Sequence, residues 1–257
     1  MRTLRLVLVV WWLQLKIRSR SAFDGLLGMI YPLFFATTIF LMYRAGSAGG
    51  AALVSAAVGA SVMGVWSATS TTAASSLQQE RRQGTLELLV ASPSPFPLLI
   101  FPLTLSMATV GVYSMVATLL WGRFVFGIHI AIAQPLLFAV AVLVTLIAIG
   151  MLGFVMAVSS VRYRSAWALG NAFEMPVWLI CGFLVPLSVL PGWLQPVAWV
   201  LAPTWGLAAI RAAAEGRPSA TAILLCLALA AAYGLIGALV SRRLVDSARR
   251  DAKLALV

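Results

Sequence analysis

Long apolar runs separated by short polar breaks dominate this chain, and their length is that of a membrane-crossing helix. A hydrocarbon core of about 30 Å takes about 20 residues at about 1.5 Å each. Phe23–Tyr43, Ala51–Ala74, Leu98–Trp121, Pro135–Ser159, Ala166–Leu187 and Ala220–Val240 meet that need, which predicts six spans. The runs are continuous, not alternating, so a closed β-barrel is excluded. The expected fold class is an all-α polytopic membrane protein, one transmembrane domain over residues 1–257.

Two apolar segments do not fit a simple crossing. In residues 1–20 a short block, Leu6–Leu13, lies between Arg2, Arg5, Lys16, Arg18 and Arg20, with Trp11 and Trp12 inside it. It is too short to span, and basic ends around tryptophans suit a helix lying in the interface. A signal peptide also starts basic and apolar, but no small-x-small cleavage site follows. Residues 188–210 are apolar enough to cross, yet Pro191, Pro196 and Pro203 interrupt them just after Pro186. Continuous helix is disfavoured there.

Charge sets the orientation. With six spans, fourteen of the eighteen Lys and Arg residues fall on one side, and only Arg44, Arg123, Arg211 and Arg217 on the other. A seventh span would carry the basic tail, residues 241–257, to the depleted side, against the positive-inside rule. Both termini are therefore expected in the cytoplasm. Residues 188–210 are expected as an external re-entrant hairpin anchored by Trp193, Trp199 and Trp205.

Composition agrees: of 257 residues, 62% are hydrophobic and 10% charged, far from a soluble domain. The net charge of +11 could speak for nucleic acid, but the basic residues sit at the ends of apolar runs, so no nucleic-acid partner is expected. Cys181 and Cys226 lie inside apolar runs without metal-ligand spacing. His129 is the one histidine, which leaves no His-based metal cluster or nucleophile–base pair. No catalytic and no metal site is expected.

Between the second and third runs lies a polar island, residues 75–97, with Gln78-Gln79-Glu80-Arg81-Arg82-Gln83-Gly84-Thr85-Leu86-Glu87 at its centre. Ser76–Gln83 reads as a short polar helix ended by Gly84 in a left-handed cap. Thr85 then caps a second short helix with Glu87 in its first turn, and Pro93, Pro95 and Pro97 close the segment. Two readings stand: a solvated loop kept out of the bilayer by its charges, or a docking element for another macromolecule.

Within the spans, Glu174 stands out in Asn171-Ala172-Phe173-Glu174-Met175-Pro176. A charged carboxylate at a helix centre costs about 3 kcal/mol to insert. It either is neutralised or paired structurally with Asn171 one turn earlier, or lines a polar cavity that meets substrate. Trp66, Ser67 and Ser70 near the cytoplasmic end of the second span mark close helix packing, a ligand path, or both. Asp24, at a span end, reads as a helix-start charge.

The stretch from Glu80 through Gly84-Thr85-Leu86-Glu87-Leu88-Leu89 to Ser92-Pro93 resembles the signature loop of ABC-2 type permeases, the membrane subunits of ABC exporters. The segment from Leu184 through Pro186, Pro191, Pro196 and Ala202-Pro203-Thr204 is similar to that family's region after the fifth span. The resemblance implies a type V exporter-like fold, a bacterial cytoplasmic membrane location, and a dimer with a second copy or a homologous permease. It makes Gln79, Glu80, Arg81, Arg82, Gly84, Thr85 and Glu87 a coupling segment for two partner ABC ATPase subunits, which would bind ATP and Mg. Trp66, Ser67, Ser70, Asn171 and Glu174 become substrate-path candidates, for a drug, antibiotic, lipid or lipid-linked glycan. This chain carries no G-x-x-x-x-G-K-[ST] loop, its only lysines being Lys16 and Lys253. It is expected to bind no cofactor and to have no enzyme activity of its own. A proton-coupled transporter would need a relay of intramembrane ionisable groups, and Glu174 stands alone.

Overall fold

Small residues decide where the helices of this protein touch. The structure, a computed structural model, describes residues 2–19, 22–46, 49–84, 92, 95–129, 131–160 and 166–251. The helices are α1 (Arg2–Ser19), α2 (Ala22–Ala45), α3 (Gly50–Arg82), α4 (Phe96–Phe124), α5 (Pro135–Ser160), α6 (Ala166–Ile180), α7 (Gln195–Val200), α8 (Ala202–Ala214) and α9 (Ala220–Asp251), with a 3₁₀ turn at Leu187–Val189. No strand occurs among the described residues.

α3 is central, and α2, α4, α5 and α6 pack around it. Lipid tails are as apolar as leucine, so helices in a membrane associate through close packing, and small residues permit the closest approach. Ala56, Ala57, Ala60 and Ser61 are buried along α3. On the facing side of α4, a Cβ on Gly111 would lie 2.8 Å from the Val65 Cα, and one on Gly64 would collide with the Ser114 hydroxyl. Between α5 and α8, a Cβ on Gly206 would meet Thr145 Oγ1 at 2.5 Å. Around these seams Val58, Met63, Trp66, Trp178, Phe183, Leu207 and Ile210 form one buried cluster.

Among the described residues, four helices are long and apolar enough to cross a membrane: Gly50–Ser70, Phe96–Phe124, Pro135–Ser159 and Ala220–Arg243. The protein is a multi-pass membrane protein on that evidence. The first and fifth of the six expected spans are not among the four. α2 is a helix of 24 residues, and its described side chains include the apolar stretch Pro32–Ala45. α6 is described over 15 residues, and residues 161–165 before it lie outside the described ones. It stops at Ile180 and not at Leu187, because the chain turns at Gly182, whose φ of +79° favours glycine.

Two other boundaries differ from the sequence reading. The second span and the helix expected at Ser76–Gln83 form one unbroken rod. Its residues from Ala73 to Arg82 include no proline or glycine, and Leu, Gln, Glu and Arg all favour helix. The rod ends in a turn at Gln83 and Gly84, the glycine taking φ +71°. The last helix likewise runs past Val240 to Asp251.

The proline-rich region is two short helices, α7 and α8, meeting at Leu201. Pro196 and Pro203 each sit in the first turn, where a missing N–H leaves no bond unmade. α8 runs beyond residue 210, to Ala214, and most of it is buried. α9 closes the bundle against α5 and α8, and Tyr233 on α9 donates a 2.6 Å hydrogen bond to the Val200 carbonyl.

Candidate functional site

One buried polar contact of the bundle joins α3 to α6. Glu174 on α6 is 9% exposed, and the Ser67 hydroxyl donates a hydrogen bond to its carboxylate. Trp66 and Ser70 are buried on α3 near Ser67, and neither the Trp66 indole N–H nor the Ser70 hydroxyl has a hydrogen-bond partner among the described residues. A buried polar group left unsatisfied costs about 1–3 kcal/mol, so α3 presents two donors able to reward a polar atom that reaches them. One turn beyond Glu174, Trp178 is buried with its ring edge-on to Phe35 of α2, centroids 5.0 Å apart. The aromatic pair fixes α6 against α2 and α3, and with it the position of the carboxylate.

Of the five residues expected on the substrate path, Ser67 meets Glu174, and Trp66 and Ser70 are buried on the same helix as Ser67. The side chain of Asn171, the fifth, lies outside those described. Among the described residues, Glu174 is partnered by Ser67, from another helix.

The polar island sits at the end of α3. The backbone of Gln79, Glu80, Arg81 and Arg82 is helical and Gly84 terminates it, while their side chains, and Thr85 and Glu87 altogether, lie outside the described residues. From Ser67 to Arg82 is about 22 Å of continuous helix. The carboxylate's partner and the island are therefore carried on one rigid element.

At the opposite end of α3 is a group that charge counting placed in a loop. Arg211 lies within α8, and its guanidinium turns inward. Nε and Nη2 donate to the Ser55 carbonyl at 3.2 and 3.0 Å, and Nη2 also donates to the Gly182 carbonyl at 3.1 Å. The one signal in the sequence was its setting, an arginine among Ala208, Ala209, Ala212 and Ala213. A run of small residues marks a buried face.

α1 packs along α4, with the Trp11 indole donating to Thr109 Oγ1 at 3.1 Å. Its outer side shows Leu4, Leu8, Val9, Trp12, Leu13 and Ile17. His129 is exposed, Cys181 and Cys226 are buried free thiols, and no metal-binding cluster occurs among the described residues.

Residues 5–214 match the family described as ABC-2 type transporter. This chain belongs to that family. No curated protein matches it. The matched region runs through α1 to the end of α8 and includes every residue of the site. An ABC-2 protein is a permease component of an ABC transporter and normally works with an ABC ATPase.

Proposed function

We propose that this ABC-2 permease is the membrane half of an ATP-driven exporter of hydrophobic or amphiphilic compounds, such as a drug, an antibiotic or a lipid-like molecule. The observation that carries the reading is the Ser67–Glu174 pair on an apolar bundle, held by the same helix that ends in the polar island. An apolar surface with a few convergent polar groups suits an amphiphile. A lever reaching from that surface to the island suits a machine driven from outside the membrane.

In this reading two permeases, identical or homologous, pair in the cytoplasmic membrane of a bacterium, each with six spans and both termini inside. α2 and α6 supply the first and fifth spans, and α7 with α8 forms the external hairpin. Two ATPase subunits hold ATP and Mg and grip residues 78–93 through Gln79, Glu80, Arg81, Arg82, Gly84, Thr85 and Glu87. Nucleotide binding draws the islands together and tilts α3, which changes access to Glu174. The outward apolar face of α1 rests against acyl chains.

The test is co-purification with the ATPase encoded beside this chain, followed by ATP hydrolysis in proteoliposomes with a panel of amphiphilic compounds. The reading expects a stable complex whose hydrolysis is stimulated by one class of amphiphile. It fails if no ATPase binds, or if binding survives replacement of Glu80–Glu87 by a Gly/Ser segment.

A further inference from the structure

Where a buried arginine ends its side chain on backbone carbonyls and not on a carboxylate, it acts as a fastener between segments. Arg211 does this across three elements. Its Nε and Nη2 hold the Ser55 carbonyl of α3 at 3.2 and 3.0 Å, and Nη2 holds the Gly182 carbonyl of the turn after α6 at 3.1 Å. Glu215, one turn further on, is engaged elsewhere, accepting from Arg217 Nε at 2.7 Å.

The surroundings are shaped for this contact. A Cβ on Gly59, one turn along α3 from Ser55, would collide with the Phe183 carbonyl and lie 2.8 Å from Arg211 Nη2. Tyr43, near the end of α2, donates from its hydroxyl to the Leu184 carbonyl at 3.4 Å. Three successive carbonyls, of Gly182, Phe183 and Leu184, are thus held by Arg211, set against Gly59, and held by Tyr43.

Ser55 lies near one end of α3 and Arg82 at the other, about 40 Å apart along a helix without proline. Such a rod has none of the usual causes of a kink between the two ends except its glycines, and Gly59 and Gly64 are both packed tight. We propose that Arg211 is a positioning residue that fastens the Leu187–Ala214 segment to the far end of α3, so that a tilt of α3 driven from the polar island carries that segment with it. The inference rests on the reading of residues 78–93 as a lever and adds where the movement ends. It assigns to Arg211, Gly59 and Tyr43 a part in opening the side of the protein remote from the ATPase.

The experiment uses the full chain with its ATPase in liposomes of phosphatidylethanolamine and phosphatidylglycerol, with Cys181 and Cys226 replaced by alanine. Spin labels are placed at Gly49→Cys, where nothing lies within 4 Å of a new side chain, and at Trp193→Cys, which is 74% exposed. Distances are read by double electron–electron resonance, without nucleotide and after trapping with ATP, Mg and vanadate. With Arg211 present and the labelled permease diluted with unlabelled copies, the expected result is one narrow intra-chain distance that trapping leaves unchanged. Arg211→Gln is expected to broaden it without nucleotide, to shift it on trapping, and to lower transport per ATP hydrolysed at least tenfold. Arg211→Lys should restore part of that ratio.

Should Arg211→Gln fail to fold, Gly59→Ala replaces it, since it displaces the Phe183 carbonyl while leaving the guanidinium intact, and the same broadening is expected. A native distance distribution and native coupling ratio in Arg211→Gln, or in Gly59→Ala, overturn the proposal. Failure of the ATPase to bind overturns the lever and the transmission together, while the nucleotide-free comparison still decides whether Arg211 fastens the segment.

Discussion

Ser67 on α3 donates a hydrogen bond to the Glu174 carboxylate on α6, joining the central helix of the bundle to the helix beside it. A carboxylate is costly on a lipid-facing surface. Facing inward, Ser67 and Glu174 give the two helices a polar contact that a movement of α3 can make or break.

The first prediction concerns that contact. Glu174→Gln keeps the shape and a hydrogen-bonding group, so the protein should fold with little loss of thermal stability. Substrate-stimulated ATP hydrolysis should fall at least tenfold if the carboxylate meets substrate. Ser67→Ala should cost about 1.5–3 kcal/mol, the range for a hydrogen bond to a charged group, read as a lower unfolding temperature in detergent. If Glu174→Gln leaves stimulation intact while Ser67→Ala destabilises, the pair is structural only.

The second prediction concerns the seam between α3 and α4. Because a Cβ on Gly111 would lie 2.8 Å from the Val65 Cα, backbone itself must move to admit a side chain. Gly111→Val should destabilise by about 1–3 kcal/mol or more, as over-packing does. Gly192→Ala, with nothing within 4 Å, serves as the control and should leave the unfolding temperature unchanged. Equal effects of the two would mean that the seam is not tightly packed.

How much of this was legible in the sequence depends on what each feature required. The four clear spans follow from uninterrupted apolar runs such as Pro135–Ser159, where length and composition alone suffice. Gly84 was readable as a helix stop because glycine supplies positive φ without a steric penalty. Trp66, Ser67, Ser70 and Glu174 were each recognisable as polar groups in apolar settings, but that Ser67 meets Glu174 is a long-range fact that depends on how α3 and α6 rotate against one another. Arg211 was legible as a charge on the depleted side but not as an internal fastener, for an instructive reason. Counting charges by loop treats every arginine as a topological signal, whereas this one is satisfied by the carbonyls of Ser55 and Gly182, partners with no side-chain signature.

The third prediction concerns the aromatic contact that seats α6. Trp178 is fully buried and stacks edge-on with Phe35. Trp178→Ala removes a large core side chain and should cost about 3–5 kcal/mol. Trp178→Phe should recover much of that loss, because the edge-to-face contact with Phe35 can re-form. Thermal unfolding in detergent, followed by the yield of monodisperse protein, checks both. If the two variants are equally stable, the ring contact with Phe35 contributes little to the position of Glu174.

The last prediction separates the shape of the polar island from its charge. Gly84 takes φ +71° with nothing within 4 Å of an added Cβ among the described residues, so the main cost of Gly84→Ala is that of the left-handed region, about 1–2 kcal/mol. A simple solvated loop would absorb that by relaxing, and ATPase binding would not change. A lever would not, since the exit angle from α3 is set at this residue; Gly84→Ala should then weaken co-purification of the ATPase while the permease stays folded. Reversing charge at Glu80 and Arg81 together keeps the net charge but swaps the pattern, and should abolish association if the partner surface is complementary. Raising salt should weaken the native complex in parallel, because exposed charge pairs are screened within about 10 Å at 0.1 M. A complex indifferent to all three changes would place the ATPase contact elsewhere on the chain.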